Sequence, residues 1–371
     1  MLKILTIVGA RPQFIKAAVF SRKIRSKKYS DLIEEILVHT GQHYDHNMSE
    51  IFFQEMEIPQ PTINLGVGSG RHGEVTARML EGIEKLIVEH SPNLVLVYGD
   101  TNSTLAGALA ASKLHVPIAH VEAGLRSFIM SMPEEQNRRL TDHLSTWLFC
   151  PTETAVKNLE REGITNSHSV KPSADQKKVV QCGDIMYEAI LYYQAKALEK
   201  QTLIKLIDKD LLSNYYVLTL HREENTDNHE RLTSIINALN SYKKLKCIFP
   251  MHPRTKKIVN SLNLHFEPHI IIMEPVGYFD MIVLESKSMF IVTDSGGVQK
   301  EAYFLKKPCI TLRDSTEWTE LVETGWNTLV GADQEKILNA LSSMPKYGKD
   351  IQLYGDGNTA EKIAEVLLRS Y

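Results

Sequence analysis

Short apolar runs alternate with longer amphipathic segments along the chain, and this alternation constrains the fold more than any other feature. The apolar runs are rich in Ile, Leu and Val and are bounded by Gly, Pro, Asp or Asn, as is typical of buried parallel strands. In the first half they cover residues 2–8, 34–39, 94–98, 117–121 and 146–150. Helical patterns separate them at 12–27, 72–90, 101–114 and 134–145. This order predicts a doubly wound α/β sheet.

A second series of the same kind follows a helical stretch that runs from Asp184 to about residue 207. Its predicted strands are 215–220, 245–250, 269–273, 289–293 and 308–312. The polar, Lys-rich stretch 165–181 is the predicted linker. A chain of 371 residues is also too long for one ordinary core. We therefore predict two similar domains, 1–175 and 176–357, facing each other across a cleft, with the helical pattern 358–371 crossing back to the first.

The overall composition excludes several classes of protein. A net charge of -3 argues against nucleic acid or an anionic membrane surface as the main partner. No apolar run approaches the roughly 18 residues that cross a bilayer, and the start resembles a first strand, not a signal peptide. The four cysteines are scattered without a C-x-x-C pair, which predicts buried thiols and neither disulfides nor zinc. We expect a cytoplasmic protein.

Polar motifs follow the strands of the first series. After strand 2–8, a Gly and a Pro-initiated helix predict exposed backbone N–H groups, with Arg11 and Lys16 as nearby cations. A plain turn with solvated charges explains that motif equally well. Asp100, after strand 94–98, is either a helix N-cap or a carboxylate at the ligand-binding end of the sheet.

An acidic cluster follows the strand 117–121. Glu122 sits beside Gly124, which would allow a ligand or backbone to approach closely, and Glu134 opens the next helix behind Pro133. Acids in a first turn also complement the helix dipole. Two acidic sites and two arginines, Arg126 and Arg138, within 17 residues exceed what capping requires, so the pattern favours function.

The second series carries two further motifs. His221 follows the strand 215–220, where a histidine can act as acid, base or phosphate donor, although a lone histidine is more often structural. Asp294-Ser295-Gly296-Gly297 joins a strand to a helix, which predicts a phosphate cradle of backbone donors at the positive helix end. Glu301, one turn into that helix, is placed to accept from a ribose hydroxyl. The alternative is a flexible glycine turn.

A metal site is not predicted. His39, His43 and His46 cluster near the second strand, but Gly41 interrupts the helical spacing and no H-E-x-x-H arrangement accompanies them.

Taken together, these motifs resemble the non-hydrolysing UDP-N-acetylglucosamine 2-epimerase family. The matching motifs occur in order from Lys3 to about Gly331: GARP-x-x-IK, TGQH, GDT-x-S, HVEAGLR with PEE-x-NR, T-x-HR-x-EN, and DSGG-x-Q-x-E. The resemblance implies two Rossmann-like domains of the GT-B type, a homodimer, and no nicotinamide or other cofactor. It also implies a UDP-sugar substrate and a role in making surface-polysaccharide precursors.

The resemblance further implies a two-stage inversion at C2 of the sugar. A base removes the C2 proton, UDP leaves C1 by anti elimination, and a 2-acetamidoglycal stays bound until a proton and UDP return. By motif, the acid–base candidates are Asp100, Glu122 and Glu134. The residues that would stabilise the leaving diphosphate are Arg11, Lys16, Arg138 and His221. The residues that would bind the nucleotide or substrate are Gln42, His43, Ser295, Gly296, Gly297, Glu301 and Arg313.

Several positions depart from the family pattern. The first motif is ARPQ where TRPE is usual, Glu223 stands where Arg is common, and Glu317-Trp318-Thr319-Glu320 replaces ERPE. TGQH also continues into a longer stretch, which leaves activation by a second UDP-GlcNAc open. These variants are more similar to branches that act on modified sugars such as UDP-2,3-diacetamido-2,3-dideoxyglucuronate. More distant alternatives are a hydrolysing relative, a GT-B glycosyltransferase and a non-catalytic UDP-sugar-binding protein.

Overall fold

The structure is a computed structural model that describes residues 1–41, 57–200, 214–349 and 351–371. The chain forms two compact units, each built around one parallel sheet. The first unit contains Met1–Ala189 and Gln352–Tyr371, and the second contains Ile190–Ile351.

The first unit contains a seven-stranded sheet in the order β3-β2-β1-β4-β5-β6-β7, with every described pairing parallel. Its strands are β1 (Leu2–Val8), β2 (Ile33–His39), β3 (Ile63–Asn64), β4 (Leu94–Tyr98), β5 (Ile118–Val121), β6 (Trp147–Cys150) and β7 (Lys178–Gln181). The helices are α1 (Arg11–Ile24), α2 (His72–His90), α3 (Asn102–Lys113), α4 (Pro133–Leu144), α5 (Glu153–Arg161) and α6 (Ile185–Lys200), which continues into the second unit. Strand β4 is apolar throughout because both faces of the sheet are covered, and all five of its residues are buried.

The second unit contains a six-stranded parallel sheet in the order β10-β9-β8-β11-β12-β13. Its strands are β8 (Tyr215–Thr219), β9 (Lys246–Pro250), β10 (Ile270–Met273), β11 (Ile291–Thr293), β12 (Cys309–Thr311) and β13 (Asn327–Leu329). Its helices are α7 (Glu223–Thr226), α8 (His229–Ser241), α9 (Pro253–Ser261), α10 (Tyr278–Lys287), α11 (Gly296–Phe304), α12 (Thr319–Glu323) and α13 (Gln334–Ser342). A last helix, α14 (Thr359–Ser370), belongs to the first unit.

The predicted α/β class with two parallel sheets is confirmed. Each apolar run named from the sequence lies on a strand, whereas the short strands β3, β7 and β13 were not predicted. The unit boundary differs from residue 175, because β7 lies within the predicted linker and pairs with β6. The first unit therefore extends to Ala189. A four-residue strand with only two apolar residues, Val179 and Val180, carries too little periodicity to reveal it in the sequence.

Each sheet has one point where the chain order reverses, between β1 and β4 in the first unit and between β8 and β11 in the second. In open parallel sheets, ligands bind outside the carboxyl ends of the strands at such a point. The motifs that carry Arg11, Asp100, His221 and Asp294 follow these four strands, and the acidic cluster with Glu122 follows β5, the neighbour of β4 in the first sheet.

Helix α14 is fastened to α1 and the turn after it. Glu361 accepts hydrogen bonds from Lys28 at 2.6 Å and from Lys23 at 3.3 Å. The Glu188 carboxylate, on α6, accepts from the backbone N–H of Ala360 at 2.8 Å. Among the described residues, no helix has the length and apolarity that crossing a bilayer requires.

Candidate functional site

The turn after β1 is closed by the side chain of Gln13. Its Oε1 accepts from the backbone N–H groups of Gly9 at 2.8 Å and Ala10 at 3.0 Å, and its Nε2 donates to the Tyr98 carbonyl at 2.7 Å. The amide therefore ties the end of β1 to the end of β4. We predicted exposed backbone N–H groups in this turn, but those of Gly9 and Ala10 are hydrogen-bonded to Gln13 within the protein. The Gln in ARPQ, where the usual TRPE has Glu, has a physical reason, because a carboxylate has no N–H for the Tyr98 carbonyl.

The carboxylate of Glu122 forms an ion pair with Lys16 at the carboxyl edge of the first sheet. Both side chains are about nine-tenths buried, with 10% of each exposed. Glu122 has a backbone φ of 75°, a left-handed conformation that a residue with a side chain adopts at a cost. Gly99, with φ 63°, lies directly against this pair, and a Cβ there would be 3.3 Å from the Glu122 Oε2. Such strain persists where surrounding structure holds it and is frequent at functional sites.

A buried charged group around Asp142 holds the turn that carries Glu122. Asp142 accepts from the ring Nδ1 of His120 at 2.7 Å, pairs with Arg126 at 2.7 Å and accepts from the Gly124 N–H at 3.1 Å. Burial raises its pKa, but His120 and Arg126 outweigh this and hold the pKa of Asp142 below its ordinary value. Gly124 has no Cβ because one would overlap the Ala155 carbonyl, so backbone, not ligand, makes the close approach there.

Asp100 lies at the end of β4 and pairs with Arg138 of α4 at 2.5 Å. The N-cap of the following helix is Thr101, whose hydroxyl accepts from Thr104, so the capping alternative for Asp100 is excluded. Arg138 also contacts Glu135 at 3.3 Å. The structure therefore places the Asp100 carboxylate and the Arg138 guanidinium together at the edge that also carries Glu122.

The remaining first-half candidates lie differently. Glu134 is exposed in the first turn of α4, whereas its neighbour Glu135 is fully buried and accepts from the Ser127 backbone N–H at 2.8 Å. Arg11 is exposed at the start of α1. Gln42 and His43 lie outside the described residues, as does part of the histidine cluster at 39–46. Within the described residues, no group of three or more His, Cys, Asp or Glu could hold a metal ion.

In the second unit, Asp294 organises the turn after β8. It is fully buried and accepts from the backbone N–H of His221 at 3.1 Å and of Arg222 at 2.9 Å. Asn225 donates to the same carboxylate at 3.2 Å and to the Leu312 carbonyl at 2.9 Å. Asp294 is thus turned inwards, and the part of the predicted phosphate cradle that faces outwards begins at Ser295.

His221 lies at the carboxyl end of β8, with its Nδ1 3.7 Å from the Asp294 carboxylate. Burial lowers the pKa of His221, the Asp294 charge opposes this, and Arg222 and His252 add to the lowering. The ring is therefore neutral at neutral pH and has one N–H to donate. His252, which follows the strand β9, has a structural role, since its ring accepts from the Arg254 N–H as the N-cap of α9. Arg254 in turn pairs with Glu223, the residue that departs from the family pattern, at 2.7 Å.

The glycine turn forms the N-terminus of α11. Gly296 is buried and is the first residue of the helix, Gly297 is exposed, and the Ser295 N–H donates to Thr293 Oγ1 at 2.9 Å. The first-turn N–H groups of a helix have no partner within it and favour an anion. Glu301 lies one turn further on, and burial raises its pKa to about 7, with the Lys300 charge opposing.

Arg313 follows β12 and is buried, with its guanidinium 2.9 Å from the Glu317 carboxylate. Glu317 also occupies the space where a Cβ on Gly296 would lie. Arg313 lines a cavity of about 590 Å³ with residues of α8, α13 and the end of β13. That cavity is not lined by His221 or by the glycine turn, so Arg313 stands at the margin of this group of residues.

Comparison with known proteins identifies the family. The family model described as UDP-N-acetylglucosamine 2-epimerase matches residues 25–368. The chain belongs to the UDP-N-acetylglucosamine 2-epimerase family. It is therefore an isomerase by class, and the family suggested by the sequence motifs is confirmed.

Individual relatives match over nearly their full lengths. UDP-2,3-diacetamido-2,3-dideoxy-D-glucuronate 2-epimerase of Pseudomonas aeruginosa is 50% identical, over 99% of this chain and 100% of that protein. The structure of Methanocaldococcus jannaschii UDP-GlcNAc 2-epimerase in complex with UDP-GlcNAc and UDP has 44% identity and a TM-score of 0.85, with 99% of each chain covered. The Neisseria meningitidis UDP-GlcNAc 2-epimerase bound to UDP-GlcNAc has 30% identity and a TM-score of 0.84, covering 99% of this chain and 100% of that chain.

Sequence reasoning missed the supporting residues of this epimerase-family chain. Gln13, Asp142, Asn225 and Glu135 are buried and hold the turns that carry the candidates. Their signal in the sequence is weak, because each is a polar residue in a helix, where a buried polar residue resembles a surface residue. Asp142 follows Arg138 by one helical turn, a spacing that places both on the inward face.

Proposed function

We propose that the chain is a non-hydrolysing 2-epimerase of UDP-N-acetyl sugars, of the UDP-GlcNAc/UDP-ManNAc type, that works by elimination and re-addition of UDP. The observation that carries this proposal is Glu122, held in a left-handed conformation with its carboxylate against the Lys16 ammonium. The C2 proton of the sugar is weakly acidic, so its removal requires a carboxylate held in a fixed position.

The first unit supplies the proton-transfer groups in this mechanism. The Glu122 carboxylate is paired with the Lys16 ammonium, which holds it at the sheet edge where the proposed base is required. Asp100, paired with Arg138, is the second carboxylate at the same sheet edge and is the candidate for the opposite face of C2. Glu134 is the third acid–base candidate and, being exposed, has the weaker support from its surroundings.

The second unit supplies the groups that hold UDP. Breaking the bond between C1 and the β-phosphate oxygen leaves negative charge on the diphosphate, and N–H donors and cations lower that barrier. The N-cap Ser295 and the first two residues of α11, Gly296 and Gly297, are the candidate groups for the diphosphate, with Glu301 for the ribose hydroxyls. A neutral His221 can donate its N–H to the departing oxygen, and Arg313 adds a cation at the margin.

A second substrate is favoured by one specific observation. The relative of Pseudomonas aeruginosa that is 50% identical acts on UDP-2,3-diacetamido-2,3-dideoxy-D-glucuronate. The same C2 chemistry serves both sugars, since each has an acetamido group at C2 and UDP at C1. The diacetamido uronate is therefore the second candidate.

Incubation with each UDP-sugar in heavy water, followed by NMR, tests the proposal. Deuterium entering at C2 with UDP still attached, and formation of the C2 epimer, are the expected results. Free N-acetylmannosamine would instead indicate a hydrolysing enzyme, and sugar transfer to an acceptor without C2 exchange would indicate a glycosyltransferase. UDP-sugar binding without any reaction would indicate a non-catalytic binding protein. The sugar that exchanges faster identifies the substrate.

Matched variants assign the base. Glu122→Gln keeps the size of the side chain, and we expect it to slow C2 exchange by at least about 100-fold. Glu134→Gln is the matched variant, on the exposed first turn of α4. An equal slowing of C2 exchange in Glu134→Gln would mean that Glu134 also takes part in proton transfer. The Kd for UDP, measured by calorimetry, should stay within about threefold in both, because neither side chain is assigned to the nucleotide.

We also propose a homodimeric, cytoplasmic enzyme that serves surface-polysaccharide synthesis. The resemblance supports the dimer, and four free, buried cysteines are consistent with a reducing compartment. Light scattering coupled to size-exclusion chromatography should give about twice the 42.0 kDa chain mass.

A further inference from the structure

The segment after β12 carries Trp318, which stands where the family pattern has an arginine and which the proposed mechanism does not use. Trp318 is buried, with 4% of its surface exposed. Its indole Nε1 donates to the Gly296 carbonyl at 2.9 Å. That carbonyl belongs to the first residue of α11, the helix proposed to receive the diphosphate.

The same ring holds a buried cation. The Nζ of Lys300 lies 4.2 Å from the centroid of the Trp318 ring, and Lys300 is only 3% exposed. An ammonium over an indole face is attracted by the ring quadrupole, and more strongly when water is excluded. Lys300 precedes Glu301, and its charge favours the ionised form of that carboxylate.

Further bonds fix this segment against α11. The backbone N–H of Trp318 donates to Thr316 Oγ1 at 3.2 Å, and Thr316 donates to Gln299 Oε1 at 2.7 Å. Gln299 is fully buried, and Asn327 of β13 also donates to its Oε1, at 3.1 Å. Because these partners have little room to move, Trp318 is held in one position relative to the helix start.

We propose that Trp318 is a positioning residue for the diphosphate site: its indole N–H orients the Gly296–Gly297 peptide and its ring holds the Lys300 ammonium beside Glu301. A peptide unit is planar, so its carbonyl oxygen and its N–H point in opposite directions. Fixing the Gly296 carbonyl on Trp318 therefore fixes the direction of the Gly297 N–H, which is one of the donors assigned to the diphosphate. This inference rests on the proposed function, since it concerns how UDP is held.

Trp318→Phe tests the indole bond, because it removes the N–H and keeps an aromatic face for Lys300. We expect the Kd for UDP, measured by titration calorimetry on the full chain, to rise about five- to tenfold, the usual effect of one hydrogen bond. Lys300→Met removes the ammonium with little change in length, and it should weaken UDP binding by about three- to tenfold.

Trp326→Phe is a matched control in the same unit. Trp326 is also 4% exposed, its Nε1 donates to the Lys349 carbonyl at 2.9 Å, and Lys306 lies 5.6 Å from its ring. This variant should lose a similar amount of thermal stability and bind UDP with wild-type affinity.

Wild-type affinity for UDP in both Trp318→Phe and Lys300→Met overturns the inference, and so does an equal loss of affinity in Trp326→Phe. If Trp318→Phe does not fold, Lys300→Met decides by the same measurement. A wild-type chain that fails to bind UDP contradicts the proposed function itself, before any variant is compared.

Discussion

At the scale of single residues, one amide determines the geometry of the turn after β1. Gln13 is 1% exposed and uses its acceptor on Gly9 and Ala10 and its donor on Tyr98 and on Thr104, the latter at 2.9 Å. A carboxylate at this position would set an oxygen against the Tyr98 carbonyl and lose both donated bonds. We expect Gln13→Glu to lower the free energy of unfolding by about 2–4 kcal/mol, measured by urea denaturation.

Gln13→Met provides the comparison. It keeps the volume but removes every hydrogen bond of the amide, so it leaves the N–H groups of Gly9 and Ala10 and the Tyr98 carbonyl without this partner. A stability loss in Gln13→Glu smaller than about 0.5 kcal/mol would contradict the account, since a buried carbonyl facing a carboxylate has a larger cost.

Two carboxylates on neighbouring helices determine a pH effect at the scale of elements. Burial raises the pKa of Glu301, on α11, from 4.5 to about 7, and burial also raises the pKa of Glu285, on α10, with the Glu301 charge adding to it. An acid with a raised pKa keeps its proton in the folded state while the unfolded chain has released it. Its contribution to stability is therefore complete below pH 4.5 and is lost as pH rises through about 7.

Glu301→Gln is neutral at every pH and should remove this dependence. Between pH 5 and pH 8 the free energy of unfolding of the wild type should fall relative to the variant, by on the order of 2–3 kcal/mol. Urea denaturation at the two pH values checks the difference. If the free energy of unfolding changes equally between pH 5 and pH 8 in the wild type and the variant, then the pKa of Glu301 is not raised by folding.

Glu361 on helix α14 provides a control, because its pKa is shifted in the direction opposite to that of Glu301. Hydrogen bonds from Lys28 and Lys23 lower the pKa of Glu361 to about 2. A lowered pKa gives stability that is present above pH 4.5 and is lost as pH falls through about 2. Glu361→Gln should therefore leave the change between pH 5 and pH 8 as in the wild type. The Lys28 side chain is 56% exposed and that of Glu361 is 33% exposed, so salt should screen the contribution of this pair.

The elements were predictable from sequence where apolar runs and turn residues coincide. Both sheets, the parallel direction of their strands, and the placement of Asp100, Glu122 and His221 at strand ends follow from that pattern. The polar strand β7 was not predictable, because its sequence resembles a linker. The sequence also does not show which of Glu134 and Glu135 is buried. The two residues are adjacent in the helix, yet one side chain is exposed and the other is fully buried. The N-cap of this helix is Met132, which makes no side-chain hydrogen bond, so the sequence carries no capping signal that fixes where the helix begins.

At the scale of the whole molecule, the proposed roles divide between the two units and predict where ligands protect the chain. UDP alone lacks the sugar whose C2 proton is transferred. We therefore expect saturating UDP to slow amide hydrogen exchange in the second unit, at residues 219–225 and 294–301. At a UDP concentration 100 times Kd, a locally opening segment gains about 2.7 kcal/mol, or about 100-fold slower exchange.

The proposed mechanism assigns the C2 proton to the carboxylates of the first unit, so a UDP-sugar substrate should also slow exchange there, at residues 99–101 and 120–126. The measurement is best made on Glu122→Gln, which should turn the substrate over at least about 100-fold more slowly and keep the protection by UDP unchanged in the second unit. Mass spectrometry of exchanged peptides gives both regions in one experiment on the full chain. Protection of 120–126 by UDP alone, with 294–301 unaffected, would reverse the assignment of roles. If the sugar nucleotide protects both regions and UDP protects only residues 219–225 and 294–301, then the nucleotide is held by the second unit. The groups that move the proton then belong to the first unit.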